Sequence, residues 1–264
     1  MRHDRKAQLI LAALLTLLAF GCKGTGKKLT YQGTARRNYY VGIRELVGEN
    51  YPEAQQYFSF IKKKYDRFTP YYVLAELRLA DVAFYQEKYS SAITQYKQFL
   101  SFYPTNPNVP YAMFRIGHSY FKQIPDDWFF MPATWQRDQS NVEDALRNLR
   151  RFVQSYPKSK FVPAAKKLVK TCRRQLYLHE RYVTDFYHSR KKYHAVIQRL
   201  ERIFTLYPDM GRNEQTMYWL GESYVKVKQL QKALTVFTVM QKLYPKGKRI
   251  GEVKRYISRL TKGS

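Results

Sequence analysis

Five histidines, two cysteines and carboxylate pairs such as Asp126-Asp127 are the residues whose chemistry could make a catalytic or metal site. Such a site needs two or three of them converging on one face. His3, His118, His179, His188 and His194 are scattered, and the six-residue step from His188 to His194 does not suit one helical face. His118 follows Gly117, a spacing that suits a groove-lining or solvated side chain better than a metal ligand. Asp126-Asp127 sits beside Trp128 with no second acidic pair nearby, which reads as loop solvation. HExxH, CxxC, P-loop and GxGxxG patterns are absent. The expectation is a protein with no cofactor, no metal and no catalytic residue: not an enzyme.

Cysteine chemistry of another kind is present. Arg2, Arg5 and Lys6 precede an uncharged apolar stretch, Gln8 to Gly21, too short for the ~20 residues a spanning helix needs. It ends in "LLAFGC". A small residue followed at once by cysteine resembles the bacterial lipobox, which makes Cys22 the lipidated residue and 1–21 a signal peptide. The chain departs from the usual box at Ala19 and the bulky Phe20. Lys23, not Asp, follows the cysteine, and the sorting rule of many lipoproteins then implies the outer membrane, with the body on the periplasmic face. Residues 22–33, "CKGTGKKLTYQG", read as a short flexible tether. Cys172, left without a partner, is in phase with Ala165, Leu168, Val169 and Leu176 and reads as a small buried residue.

The elements that must position any binding surface show as a repeat. The blocks "YPEAQQYFSFIKKKYD", "YSSAITQYKQFLSFYP", "VEDALRNLRRFVQSYP", "YHAVIQRLERIFTLYP" and "LQKALTVFTVMQKLYP" align without gaps. One column is Ala54, Ala92, Ala145, Val196 and Ala233. Four residues on stand Phe58, Tyr96, Leu149, Leu200 and Phe237, and each block closes on Tyr65, Tyr103, Tyr156, Tyr207 or Tyr244. Steps of three and four on apolar residues mark one face of a helix, and the proline that follows four of the tyrosines stops it. Upstream lies a second helix, with Leu220, Gly221 and Tyr224 matched by Ile116, Gly117 and Tyr120; Gly42 and Ala80 hold the glycine place in the first two repeats. This is the tetratricopeptide pattern. The fold expected is all-α: a superhelix of about five helix–turn–helix repeats. Ile250, Val253, Ile257 and Leu260 form the stripe of a C-terminal capping helix. Thr69-Pro70 and a capping box at Ser140 to Glu143 mark two helix starts.

The closing tyrosines are 38, 53, 51 and 37 residues apart. The gap of 53 arises in repeat three, where Pro125–Ser140 is inserted between its two helices. The organisation expected is therefore N-terminal repeats over 34–124, an aromatic insertion over 125–140, and C-terminal repeats with the cap over 141–264. Within the insertion, "DDWFFMPATWQR" is too aromatic to stay solvated. Phe129 and Phe130 suit inward packing, and Trp128 and Trp135 suit anchors for another protein. The gap of 51 reads as extended helix, in one segment or two, from Pro163 to about Ser189, with Lys166, Lys167, Lys170, Arg173 and Arg174 largely opposite its apolar stripe.

First helices of such repeats line the concave side. Tyr39, Ile43, Asp81, Phe84, Tyr85, Tyr111, Phe114, His118 and Phe121 hold those positions here and make an aromatic groove suited to an extended or helical peptide. About half of them are equally suited to inter-repeat core. The formal charge of +27 draws the protein to anionic partners or leaves a solvated basic face. No nucleic-acid partner is expected, since no base-stacking or groove-reading module is present.

"PTNPNVPYAMFRIG", the "FF…RD" that follows, "QSYPKSKFVPAA" and "TDFYHSRKKYHAVIQRLERIFTLYPD", with the signal segment and five repeats, resemble the BamD (ComL) family of outer-membrane lipoproteins. The resemblance spans roughly Tyr39 to Leu234. It implies a non-enzymatic scaffold of the β-barrel assembly machinery. Its partners would be the barrel subunit, accessory lipoproteins, unfolded outer-membrane proteins and, through a lipid anchor, the membrane. It also implies partner-binding roles for Phe129-Phe130 and Arg137-Asp138, and for Arg199 opposite an acidic group of the barrel subunit. The chain departs from that family in Met131 to Trp135 and in its stronger basicity. A pilotin-like lipoprotein, or one that binds an anionic envelope polymer through Lys166 to Arg174, stays open on these residues.

Overall fold

The computed structural model describes residues 29–126 and 131–262. The signal segment, Cys22, and Trp128, Phe129 and Phe130 of the insertion lie outside them. Five antiparallel helix pairs and a terminal helix follow one another. Repeat one is α1 (Ala35–Val47) and α2 (Tyr51–Lys64); repeat two is α3 (Pro70–Tyr85) and α4 (Tyr89–Phe102). Repeat three is α5 (Val109–Lys122) and α6 (Ser140–Ser155), with a 3-10 turn, Thr134–Gln136, among the described residues between them. Repeat four is α7 (Val162–Ser189) and α8 (Tyr193–Leu206). After a short α9 (Pro208–Gly211), repeat five is α10 (Glu214–Lys226) and α11 (Leu230–Leu243), capped by α12 (Ile250–Lys262).

The aligned columns are the core. Ala54, Ala92, Ala145, Val196 and Ala233 are fully buried, as are Phe58, Tyr96, Leu149, Leu200 and Phe237. The glycines of the first helices are needed for close approach. A Cβ on Gly42, Gly117 or Gly221 would come within 2.7, 2.7 and 2.5 Å of Phe58, Leu149 and Phe237. Alanine in place of Gly221 would raise helix propensity by about 1 kcal/mol. Overpacking against the Phe237 ring costs about 1–3 kcal/mol. Gly221→Ala should therefore lose on the order of 1 kcal/mol, read as a lower urea midpoint.

Four turns inside repeats share one geometry. Glu49, Glu87, Lys191 and Lys228 all have φ of 55 to 62°, and the next amide reaches back to close a Schellman motif, as in Asn50 N–H to Glu45 O at 2.9 Å. Repeat three, which carries the insertion, has no such residue among those described.

Some local expectations need correction. Ser140 is not an N-cap: α6 starts at Ser140 after Gln139, and the Ser140 hydroxyl and amide turn back to the Asp138 carboxylate. Those two bonds stabilise the ionised acid and hold Asp138 below the usual carboxylate range. Thr69 holds the N-cap position with Pro70 behind it, but its hydroxyl donates to Asp66 O at 2.7 Å instead of capping. The last residues of the expected tether are packed: Tyr31 stacks on Phe60 at 4.0 Å, and the Gln32 amide donates to Asn38 at 2.8 Å. The second long gap is a single 28-residue helix, α7, whose first part packs on α6 and whose last part packs on α8 and α10. Cys172 is fully buried within it, and burial pushes its thiol up to about 12, so it is an inert core residue. Val253 is buried under α11, and Tyr256 stacks on Phe237 at 4.8 Å, so α12 covers the last apolar face.

Candidate partner-binding surface

The first helices bring the expected groove residues together, but in two layers. Tyr39, Asp81, Phe84 and Phe114 are buried; Ile43, Tyr111, His118 and Phe121 are half-buried; Tyr85 is exposed and stacks on Tyr51 at 6.1 Å. At the centre of the buried layer is Asp81, 1% exposed. Its carboxylate accepts from the Tyr96 hydroxyl at 2.5 Å, the Tyr111 hydroxyl at 2.6 Å and Arg78 at 2.5 Å, with Arg115 Nε at 3.7 Å. Arg78 also donates to the Tyr39 hydroxyl at 3.2 Å, and Arg115 donates to Tyr96 at 3.0 Å while lying 3.6 Å over the Phe84 ring. Burial first, and then the Asp81 charge, push the Tyr96 and Tyr111 hydroxyls above their ordinary range, so both stay protonated donors. This network ties α1, α3, α4 and α5 into one body. Asp81 is thus a structural centre behind the groove, not a ligand contact on it.

His118 is half-buried, and no group of metal-ligating side chains includes it among the described residues. It lies between Phe84 and Phe114, at 5.1 and 5.5 Å, with a buried Nδ1. Burial, then the charges of Arg115 and Lys122, lower it to about 4. An unfolded histidine titrates near 6.5. Between those values the unfolded chain takes up a proton that the folded one refuses, so stability is full above pH ~6.5 and falls as the pH drops toward 4. With screening of the partly exposed ring, the loss is on the order of 1 kcal/mol. Urea midpoints at neutral and acid pH should fall less in His118→Phe than in the parent; an identical fall would refute the assignment.

Beside the groove, a cavity of about 680 Å³ opens between the turn before α5 and the turn before α7. Arg78, Lys158 and Lys160 supply its cations, and Tyr111, Tyr156 and Phe161 its aromatic wall; no carboxylate lines it. Phe161 stacks on Phe114 at 5.3 Å, so the wall continues the groove. The arrangement can hold an extended segment by ring contact while favouring negative charge.

The C-terminal repeats present a different chemistry. Arg199 on α8 bonds Glu180 of α7 at 3.0 Å, and Arg202 bonds its other oxygen at 2.9 Å. Glu180 is buried, whereas the Arg199 side chain is 37% exposed. The guanidinium has five N–H donors and spends one here, leaving capacity for a second carboxylate. Nearby, His188 stacks on Trp219 at 4.4 Å and bonds Glu222 at 3.0 Å, and Arg181 lies 5.0 Å from the same indole. Tyr182 and Phe186 are exposed, and Arg190 covers Phe186 at 3.6 Å.

The described part of the insertion is fastened to the repeats. The Trp135 carbonyl sits 2.8 Å from His179 Nδ1 on α7, and its side chain is half-buried. Arg137 donates to Pro132 O at 2.7 Å and Asp126 O at 3.2 Å, holding the loop closed on itself. Asp138 is exposed and engages Ser140. Sequence reasoning missed Arg78, Arg115, Glu180 and Arg202, and gave Tyr96 only its place in the repeat column. The available signal was charge at core-facing repeat positions: Asp81 adjoins the small-residue place, and Arg115 lies two before Gly117.

A family model described as an outer membrane lipoprotein, YfiO, matches residues 32–226, and a tetratricopeptide repeat model matches 215–247. Relatives bear the name outer membrane protein assembly factor BamD. That of Caulobacter vibrioides is 27% identical over 231 residues, covering 85% of this chain and 72% of the relative. That of Haemophilus influenzae is 25% identical over 230 residues, covering 84% and 85%. That of Neisseria gonorrhoeae is 23% identical over 249 residues, covering 92% of each.

Proposed function

The chain belongs to the YfiO family of outer membrane lipoproteins, and from that membership we propose that it is a non-enzymatic scaffold of outer-membrane protein assembly. The observation that carries the reading is the family match across 32–226, which takes in the groove, the insertion and Arg199. Relatives named as assembly factors support it. In this reading Cys22 is acylated and holds the repeats at the periplasmic face of the outer membrane. The C-terminal repeats dock a periplasmic domain of the barrel subunit, with Arg199 meeting an acidic group there. The groove of the N-terminal repeats receives unfolded outer-membrane proteins. Trp135 and Trp128 are anchors for a partner, and Phe129, Phe130, Arg137 and Asp138 take part in the same binding surface.

Affinity purification of the full chain from mildly solubilised membranes tests the proposal. It should recover a large barrel subunit with soluble periplasmic domains. Recovery of a secretin ring instead would make the protein pilotin-like, and salt-sensitive recovery of envelope polymer alone would point to the basic face of α7.

A further inference from the structure

The turns that join one repeat to the next form a single edge of the superhelix. Tyr103 of the second turn lies within electrostatic reach of Glu76 and Arg67 near the first, and burial, then Glu76, push its hydroxyl above the ordinary range. The second and third turns share the walls of the cavity. Tyr156, Phe161 and Tyr207 lie in one apolar cluster, joining the third to the fourth, and the Tyr244 hydroxyl donates to Arg212 O at 2.7 Å, joining the fourth to the fifth.

This edge has an unusual surface. Phe102, Leu206 and Leu243, each the residue before a closing tyrosine, are 59, 45 and 55% exposed, and Phe68 in the first turn is 81% exposed. The tyrosine turns inward, which sends its neighbour out. Between these apolar side chains stand the exposed cations Arg67, Lys158, Lys160, Arg212, Lys246 and Lys248. Of the acids in these turns, Asp209 is bonded to Arg173 at 2.6 Å and Asp66 accepts the Phe68 amide at 2.7 Å. The opposite edge, made by the turns inside repeats, alternates sign instead, with exposed Glu49, Glu87, Asp126 and Asp138 among its lysines.

The chain also enters from this edge. Tyr31 stacks on Phe60, Phe60 meets Tyr65 at 6.3 Å, and Asn38 joins Gln32 to the Tyr65 hydroxyl, at 2.7 and 3.5 Å. Tyr65 opens the first of these turns. From Cys22 to Leu29 is seven residues, which at ~3.5 Å each reach about 25 Å at most.

We propose that the edge of inter-repeat turns lies on the membrane: an anionic phospholipid surface, with Phe68, Phe102, Leu206 and Leu243 entering the interface and the neighbouring lysines and arginines on the headgroups. Short basic turns tipped with Phe or Leu suit that boundary, since the rings and branched chains leave water while the ammonium and guanidinium groups stay at headgroup level. One lipid signal alone holds a protein weakly, and a basic surface is the second signal that makes attachment stable. The proposal rests on the acylated Cys22 only for bringing the edge within reach.

The test uses the full lipidated chain carrying Phe68→Cys, Leu243→Cys or, on the opposite edge, Val47→Cys, each labelled with an environment-sensitive fluorophore. The buried Cys172 and the acylated Cys22 do not compete for label. In vesicles containing phosphatidylglycerol, labels at 68 and 243 should shift to the blue and lose the shift as salt rises, with position 47 unchanged. Pure phosphatidylcholine vesicles should give a shift at least severalfold smaller. Flotation with equal spectra at all three positions would overturn the edge and leave the anchor standing. A shift caused only by a soluble acidic polypeptide would assign the edge to protein, and failure to float on either vesicle would overturn edge and anchor together.

Discussion

Asp81→Ala will cost about 3–5 kcal/mol of folding stability, the range expected when one partner of a buried ion pair is removed. Arg115 is 6% exposed and has no second carboxylate within the network; the Tyr96 and Tyr111 hydroxyls lose their acceptor at the same time. The loss will be regional. A repeat array is held by neighbour contacts, so hydrogen exchange should accelerate over α3, α4 and α5 well before α11 and α12 respond. Tyr111→Phe removes one hydrogen bond from the same carboxylate and should cost only about 1 kcal/mol. Equal losses in the two variants, or exchange that accelerates evenly along the chain, would refute the central role given to Asp81.

The second large effect concerns the complex. Arg199→Ala should weaken binding of the barrel subunit by about 2 kcal/mol, roughly 30-fold in Kd, if its exposed guanidinium meets a partner carboxylate. The substitution is cleaner than charge reversal. Glutamate at 199 would set a second carboxylate against the buried Glu180, whereas alanine leaves Arg202 to neutralise it at 2.9 Å. Tm should therefore fall only slightly. Arg202→Ala removes a contact to the same Glu180 and serves as the control. If the two variants weaken the complex equally, or neither does, the pair only holds α7 to α8 and Arg199 leaves the interface.

Much of the fold was legible because repetition multiplies a weak signal. One block such as "YSSAITQYKQFLSFYP" is an ordinary amphipathic helix; five in register fix where α2, α4, α8 and α11 begin and where their closing tyrosines end them. The small-residue column was legible too: a Cβ on Gly117 or Gly221 would come within 2.7 or 2.5 Å of Leu149 or Phe237 and force the neighbour to shift. The candidate surface was less so. Composition at first-helix positions named Tyr39, Phe84 and Phe114, but could not separate rings that line a groove from rings packed behind it; that depends on the pitch of neighbouring repeats. Asp81 and Arg199 each drew notice alone. Their partners, Tyr96 and Arg115 or Glu180 and Arg202, come from other helices, and no local period brings such residues together. The Ser140 capping box failed because Asp138, two residues earlier, competes for the same hydroxyl.

The left-handed turns at Glu49, Glu87, Lys191 and Lys228 bear on how such a chain can grow. A non-glycine residue in that conformation costs about 1–2 kcal/mol, so each tight turn is a small stress inside its repeat. Lengthening a loop is cheap by comparison, about 0.6 kcal/mol for each doubling. Splitting a repeat at this turn relieves the first term and adds only the second. Repeat three carries its insertion at that place, between α5 and α6. The same four residues are thus natural splice points: a foreign loop placed at Glu87 or Lys228 should leave the superhelix intact, whereas one placed at an inter-repeat turn would separate stacked neighbours.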